Sequence, residues 1–180
     1  MQIRLFNTMT RKVEDFKPLV PGHVGFYSCG PTVYWDQHLG NMRTFINNDI
    51  LKRMFLANGY DVTHVMNFTD VGHLTSDEDT GDDKMEKGAA RENMSVWDVA
   101  KKYINNCVAD MNELNLIPPS VTPRATDHIQ EQIGLIQKLE KLGYTYEIPS
   151  DGIYYDTAKL PTYGELGGQN LSELRGGARI

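Results

Sequence analysis

Between Val24 and Phe68 the hydrophobic period changes twice, and that succession admits few folds. Val24 to Cys29 alternates after the turn-forming Pro21-Gly22, which predicts a strand. Gly30-Pro31-Thr32 marks a loop, and from Met42 the apolar positions become Met42, Phe45, Ile46, Ile50, Met54 and Phe55, the spacing of a helix. Gly59 supplies a left-handed stop, and Tyr60 to Phe68 returns to period two with Val62, Met66 and Phe68 on one side. Strand, loop, helix and strand over this length make a βαβ crossover, whose strands are parallel. Ligands of such sheets bind beyond the carboxyl ends of the strands, so Cys29 to Asn41 and Asn67 to Asp70 are expected to face one crevice.

The flanking segments add elements around this unit. Gln2 to Thr8 alternates and predicts a strand. Ser95 and Asp98 form a capping-box pattern ahead of Val96, Trp97, Ala100, Ile104, Cys107, Val108 and Met111, an amphipathic helix that makes Cys107 a core residue. Pro118-Pro119 breaks that pattern. Thr126 is expected to cap a second helix carrying Ile129, Ile133, Ile136, Leu139 and Leu142, ended by Gly143. Tyr144 to Ile148 and Ile153 to Asp156 flank a turn and predict a hairpin. The acidic stretch within residues 72–88 reads as a solvated loop, since its spacing lacks the terminal Glu of a calcium-binding EF-hand.

At 180 residues the chain has room for one domain, with an insertion, and a sizeable core. The expected class is α/β. We divide it into residues 1–125, part of a nucleotide-binding domain with an acidic insertion near 72–88, and residues 126–180, a helix, a hairpin and the start of a further α+β subdomain. Eighteen Lys and Arg against 24 Asp and Glu give a net charge of −6, which argues against a chain that grips nucleic acid by a basic face. Any polynucleotide partner is expected to be held mostly elsewhere. Two cysteines, Cys29 and Cys107, form no CxxC pair and no disulfide framework. No apolar run approaches a membrane span and residues 1–10 lack signal-peptide features, so a cytosolic protein without membrane partners is expected. The glycine-rich residues 161–180 read as a boundary within a longer protein.

His38-Leu39-Gly40-Asn41 opens the first long helix directly after the strand and its loop. A helix start offers free amides to an anion, a glycine there permits close approach, and donors such as His38 and Asn41 suit oxygens on phosphorus. A nucleotide fits that place.

The residues Leu5-Phe6-Asn7-Thr8-Met9-Thr10-Arg11-Lys12, Phe26-Tyr27-Ser28-Cys29-Gly30-Pro31-Thr32-Val33-Tyr34, His38-Leu39-Gly40-Asn41 and Asn67-Phe68-Thr69-Asp70 resemble the amino-terminal part of the cysteinyl-tRNA synthetases in order and spacing. The resemblance runs on through Pro123-Arg124-Ala125-Thr126-Asp127-His128-Ile129, Pro161-Thr162-Tyr163-Gly164 and Gly177-Ala178-Arg179. It implies a class I aminoacyl-tRNA synthetase core, Rossmann-like and incomplete in this chain. Such a core joins L-cysteine and ATP into cysteinyl-adenylate and passes the cysteinyl group to tRNA(Cys).

The resemblance also assigns roles to single residues, as expectations. His38, Gly40 and Asn41 take the place of the family's His-Ile-Gly-His signature, with Asn41 where the final His stands. They are the catalytic candidates, and Gly30, Pro31, Thr32, His38, Gly40 and Asn41 the ATP-binding ones. Cys29, Thr69 and Asp70 are the cysteine-binding candidates, Asp70 either bonding a substrate ammonium or bracing a loop. Cys29 also matches the first ligand of the family's zinc ion, a soft thiolate suited to that metal. The other zinc ligands and the Lys-Met-Ser-Lys-Ser signature are expected beyond residue 180, with magnesium accompanying ATP, so this chain by itself is expected to be inactive. Two rival readings stay open: an ATP-dependent cysteine ligase acting on an amino sugar, as in the mycothiol pathway, and a non-catalytic adenosine-binding module.

Overall fold

The computed structural model describes residues 2–72 and 83–168; most of the acidic stretch and the Gly177-Ala178-Arg179 motif lie outside the described residues. The chain forms two compact units, and they do not follow a single cut in the sequence. One spans Pro18–Asp127, and the other joins the first 17 residues to those from His128 onward.

The larger unit is built on the βαβ element read from the sequence. β1 (Arg4–Asn7) and β2 (Lys12–Asp15) precede it in the smaller unit, and β3 (His23–Ser28) begins it. Helix α1 (Leu39–Ala57) follows, then β4 (Asp61–Met66), which pairs parallel to β3 from His23 opposite Asp61 to Ser28 opposite Met66. Gly59 has φ +81°, the left-handed stop expected. Residues 120–125 run parallel along the other edge of β4: the amides of Met66 and Phe68 donate to the carbonyls of Val121 and Pro123. Val62, His64, Met66 and Phe68 share the buried face, so the period-two reading holds and takes in a histidine.

Helix α1 departs from its expected stripe. Its buried residues are Met42, Phe45, Asp49, Lys52 and Phe55, while Ile50 is exposed. Asp49 and Lys52 tolerate burial because each is bonded: Asp49 accepts from Arg53 Nε at 2.5 Å and the Ile117 amide at 2.8 Å, and Lys52 Nζ donates to the Pro118 carbonyl at 2.6 Å. Together they fasten the segment after Leu116 to α1.

Two helices complete the unit. α2 (Lys84–Glu92) lies where a solvated loop was expected to continue to Gly88, which corrects that reading. Asp83 caps it through the amides of Met85 and Glu86, and a left-handed Asn93 ends it. α3 (Val96–Glu113) starts where the capping box placed it, with Ser95 Oγ accepting from the Asp98 amide at 3.1 Å. Val99, Ala100, Tyr103, Ile104, Cys107 and Met111 are buried and join Val33, Met42, Phe45, Met66, Phe68, Met85 and Leu116 in one core. Trp97 and Val108, expected on that stripe, are exposed.

In the smaller unit β1 and β2 pair antiparallel, Arg4 opposite Asp15 through Asn7 opposite Lys12. α4 (Ile129–Lys141) follows a 3₁₀ turn at Thr126–His128, and none of its residues is buried. β5 (Thr145–Ile148) and β6 (Gly152–Tyr155) form the expected hairpin, with the Tyr144 and Tyr155 rings stacked 6.0 Å apart and Tyr146 on Tyr154 at 5.7 Å. Thr126 does not cap α4: its amide and hydroxyl both donate to Asp70.

Candidate active site

The turn after β3 is fixed by one side chain. Asn67 Oδ1 accepts from the Gly30 amide at 3.0 Å and from the Tyr27 hydroxyl at 2.7 Å, while its Nδ2 donates to Thr69 Oγ1 at 3.0 Å. One amide therefore clasps the ends of both strands. The backbone closes the same contact: the Thr69 amide donates to the Pro31 carbonyl and the Val33 amide to the Thr69 carbonyl. A Cβ on residue 30 would stand 1.6 Å from the Asn67 carbonyl oxygen, so only glycine fits there.

Because Thr69 Oγ1 accepts from Asn67, its own proton remains to be donated elsewhere. Cys29 is an exposed free thiol beside Tyr27, whose hydroxyl is pushed up in pKa by burial first and by Cys29 second. Asp70 is buried, its Oδ1 accepting from the Thr126 amide at 3.0 Å and its Oδ2 from the Thr126 hydroxyl at 2.6 Å. Of the two roles open to Asp70, this geometry is that of the brace.

At the start of α1 the imidazole of His38 folds back on the helix. Its Nδ1 accepts from the amides of Gly40 at 3.1 Å and Asn41 at 3.3 Å. Those amides were expected to be free for an anion; they are taken, because a side-chain acceptor two residues upstream reaches them first. Gly40 makes room for that ring, since a Cβ there would lie 2.9 Å from His38 Cε1. With Nδ1 accepting, the ring proton sits on Nε2, which makes His38 an outward-facing donor.

A cavity of about 510 Å³ opens here, within the range of small-molecule sites, lined by Thr32, Tyr34, Trp35, Asp36, Gln37, His38, Asn41 and Lys84. Cys29 is outside its lining, although it sits at the same carboxyl end of the sheet. The aromatic side of the cavity is held from α2 and α3. The Arg91 guanidinium stacks 3.4 Å over the Trp35 ring, and its Nη2 donates to the Tyr34 carbonyl at 2.7 Å and the Tyr103 hydroxyl at 3.2 Å. Gly88 lets α2 approach: a Cβ there would be 3.1 Å from the Tyr34 carbonyl oxygen. Glu92 accepts from Lys102 at 2.5 Å and Tyr103 at 2.8 Å, which with Arg91 holds its carboxyl near pKa 2. Asn106 Nδ2 donates to Asp36 at 2.6 Å.

Sequence reasoning missed Tyr34, Trp35, Lys84 and Arg91 as parts of this site. Among the described residues no three His, Cys, Asp or Glu side chains cluster as metal ligands. Cys29 alone, without further ligands among the described residues, does not fit a zinc site. No helix among the described residues is long and apolar enough to cross a membrane.

A parallel strand pair with a cavity at its carboxyl end is the arrangement of ligand-binding α/β domains. The comparisons agree: residues 15–180 match the model of the class I (C) tRNA synthetase catalytic domain, and the chain belongs to that family. It is 48% identical over 180 residues to cysteine–tRNA ligase 1 of Burkholderia lata, 47% to cysteine–tRNA ligase of Treponema denticola and 45% to a cysteine–tRNA ligase of Thermus thermophilus. Each of these matches covers the whole chain and 38%, 36% and 37% of the relative, so the chain spans little more than a third of their length. In fold it is similar to the leucyl-tRNA synthetase of Agrobacterium radiobacter K84 seen in a ternary complex, with a TM-score of 0.56, 24% identity, and coverage of 72% of this chain and 16% of that one.

Proposed function

We propose that the chain supplies the amino-acid and nucleotide pockets of a cysteine–tRNA ligase, which joins L-cysteine to ATP and then to tRNA(Cys). The observation that carries this is the placement of His38 and Asn41 on one cavity with Thr32, at the sheet end where Asn67 joins Thr69 to the Cys29–Gly30 turn. The relatives' names supply the choice of cysteine.

In adenylate formation a carboxylate oxygen attacks the α-phosphorus, a new P–O bond forms, and the bond to pyrophosphate breaks. Negative charge shifts onto the departing pyrophosphate, and donors that are already oriented stabilise it without reorganising. His38 is such a donor, because capping α1 holds its ring and leaves Nε2–H outward. The Asn41 amide lines the same cavity and donates without carrying charge. At the same end of the sheet, Thr69 is left with a proton to give to a substrate carboxylate or sulfur, and Cys29 lies exposed on the turn that follows β3. Magnesium, bound with ATP, would screen the phosphates. A zinc ion at Cys29 would need ligands from outside the described residues.

The test is pyrophosphate exchange. A protein that contains this chain together with the remainder of the relatives' length is expected to exchange with cysteine and to prefer it strongly over serine. The chain of 180 residues is expected to bind adenosine but to exchange at a small fraction of that rate. Equal exchange with serine and cysteine, or no adenosine binding, would overturn the reading. Exchange with cysteine but transfer to an amino sugar instead of tRNA would favour the other ligase.

A further inference from the structure

Lys84, the first residue of α2, lines the cavity at His38 together with Tyr34 to Gln37. Its ammonium lies 5.8 Å from the Tyr34 ring centroid, at the outer limit of a cation–π contact, and forms no ion pair among the described residues. Among the described residues, the carboxylates near it in the sequence and in the cavity each accept hydrogen bonds from other groups. Asp83 turns back to accept from the amides of Met85 at 2.6 Å and Glu86 at 3.3 Å, and Asp36 accepts from Asn106. Arg91, the other cation of α2 on this side, is committed to the Trp35 ring, the Tyr34 carbonyl and Glu92. Lys84 is thus a cation on a polar cavity that no carboxylate among the described residues ion-pairs.

From this placement we infer that Lys84 binds a phosphate group of the nucleotide, on the cavity that His38 and Asn41 also line. An ammonium is a point charge that follows a phosphate through several geometries, which suits a group whose charge grows and moves during the reaction. The position of Lys84 depends on α2, and α2 is fixed to the cavity wall by Gly88 and Arg91. The short helix after the acidic stretch thereby becomes part of the nucleotide site.

This inference rests on the nucleotide reading above, and the test separates the two. Adenosine and magnesium-ATP are titrated calorimetrically into the chain and into Lys84→Met and Lys84→Arg. Lys84→Met is expected to weaken ATP by about tenfold or more, the scale of one lost charge-assisted contact, and to leave adenosine within twofold. Lys84→Arg should restore most of the ATP affinity, and the salt dependence of ATP binding should flatten in Lys84→Met. Equal losses for both ligands would mean that Lys84 only packs on Tyr34, and unchanged ATP binding would remove it from the site; either result overturns the inference alone. A wild-type chain that binds neither ligand overturns the nucleotide reading, and this inference with it.

Discussion

Gly30 and Asn67 meet so closely that the α-carbon of one has no room for a side chain against the carbonyl of the other. Gly30→Ala is expected to cost about 3 kcal/mol or more, since the obstruction is backbone and cannot rotate away. Gly134 is the control: it lies inside α4, and a methyl added there would have nothing within 4 Å, so Gly134→Ala should stabilise its helix by roughly 0.5–1 kcal/mol. Urea unfolding of both variants checks the opposite signs.

Gly40 and His38 make a softer pair. In Gly40→Ala the imidazole is displaced from its cap, at a cost of about 1 kcal/mol, because a side-chain ring can move where a backbone carbonyl cannot. His38→Asn should keep the cap and the stability, since Asn is a good N-cap, while losing the outward Nε2–H. Thermal unfolding and adenosine-nucleotide titration on the two variants are expected to separate: the first loses stability, the second loses affinity for the phosphate-bearing ligand.

The two cysteines should differ sharply in reactivity. Cys107 is buried in the core, and burial, with Asp110 adding to it, pushes its thiol up to about 11; Cys29 is exposed. In native protein at mildly alkaline pH an aromatic disulfide reagent should titrate one thiol, lost in Cys29→Ser, and release the second only in denaturant. Two fast thiols in the native protein would contradict the packing of α3.

Acid should weaken the larger unit through His64. This ring is buried, stacked 4.2 Å from Phe26, with Nε2 on Ser28 Oγ at 2.8 Å and Nδ1 without a hydrogen-bond partner. Burial first, and Lys52 second, lower its pKa below the usual 6.5, against a smaller opposing pull from Asp49. The unfolded chain therefore binds the proton more readily. Stability is fully present above the unfolded value and falls as pH drops through about 6.5 toward the folded value, by at most about 1.4 kcal/mol per pH unit. Urea midpoints at about pH 7.5 and about pH 5.5, either side of the unfolded value, should show the fall, and His64→Gln should reduce it.

Elements with a clean period were legible in the sequence: β3, α1, β4, α3, α4 and the final hairpin all lie where alternation or helical spacing put them. β2 was not, because Lys12-Val13-Glu14-Asp15 has one apolar residue and becomes a strand only by pairing with β1. α2 was hidden by its acidic approach and by Gly88, a residue that reads as a breaker until the Tyr34 backbone is seen against it. Thr126 looked like a cap, yet Asp70, 56 residues earlier in the chain, takes both its donors. The catalytic candidates came from local motifs. The aromatic wall, Lys84 and Arg91 came only from tertiary contacts, which no local spacing encodes.

The parallel run of residues 120–125 along β4 has a bearing on how the protein is made. Until the ribosome has delivered Ser120 to Ala125, one side of β4 keeps its amides and carbonyls open, although β3 and α1 have long emerged. A nascent chain stalled within α3 would present that ribbon to other stalled chains and invite cross-pairing between them, so a chaperone that shields it during synthesis should raise the yield of native protein.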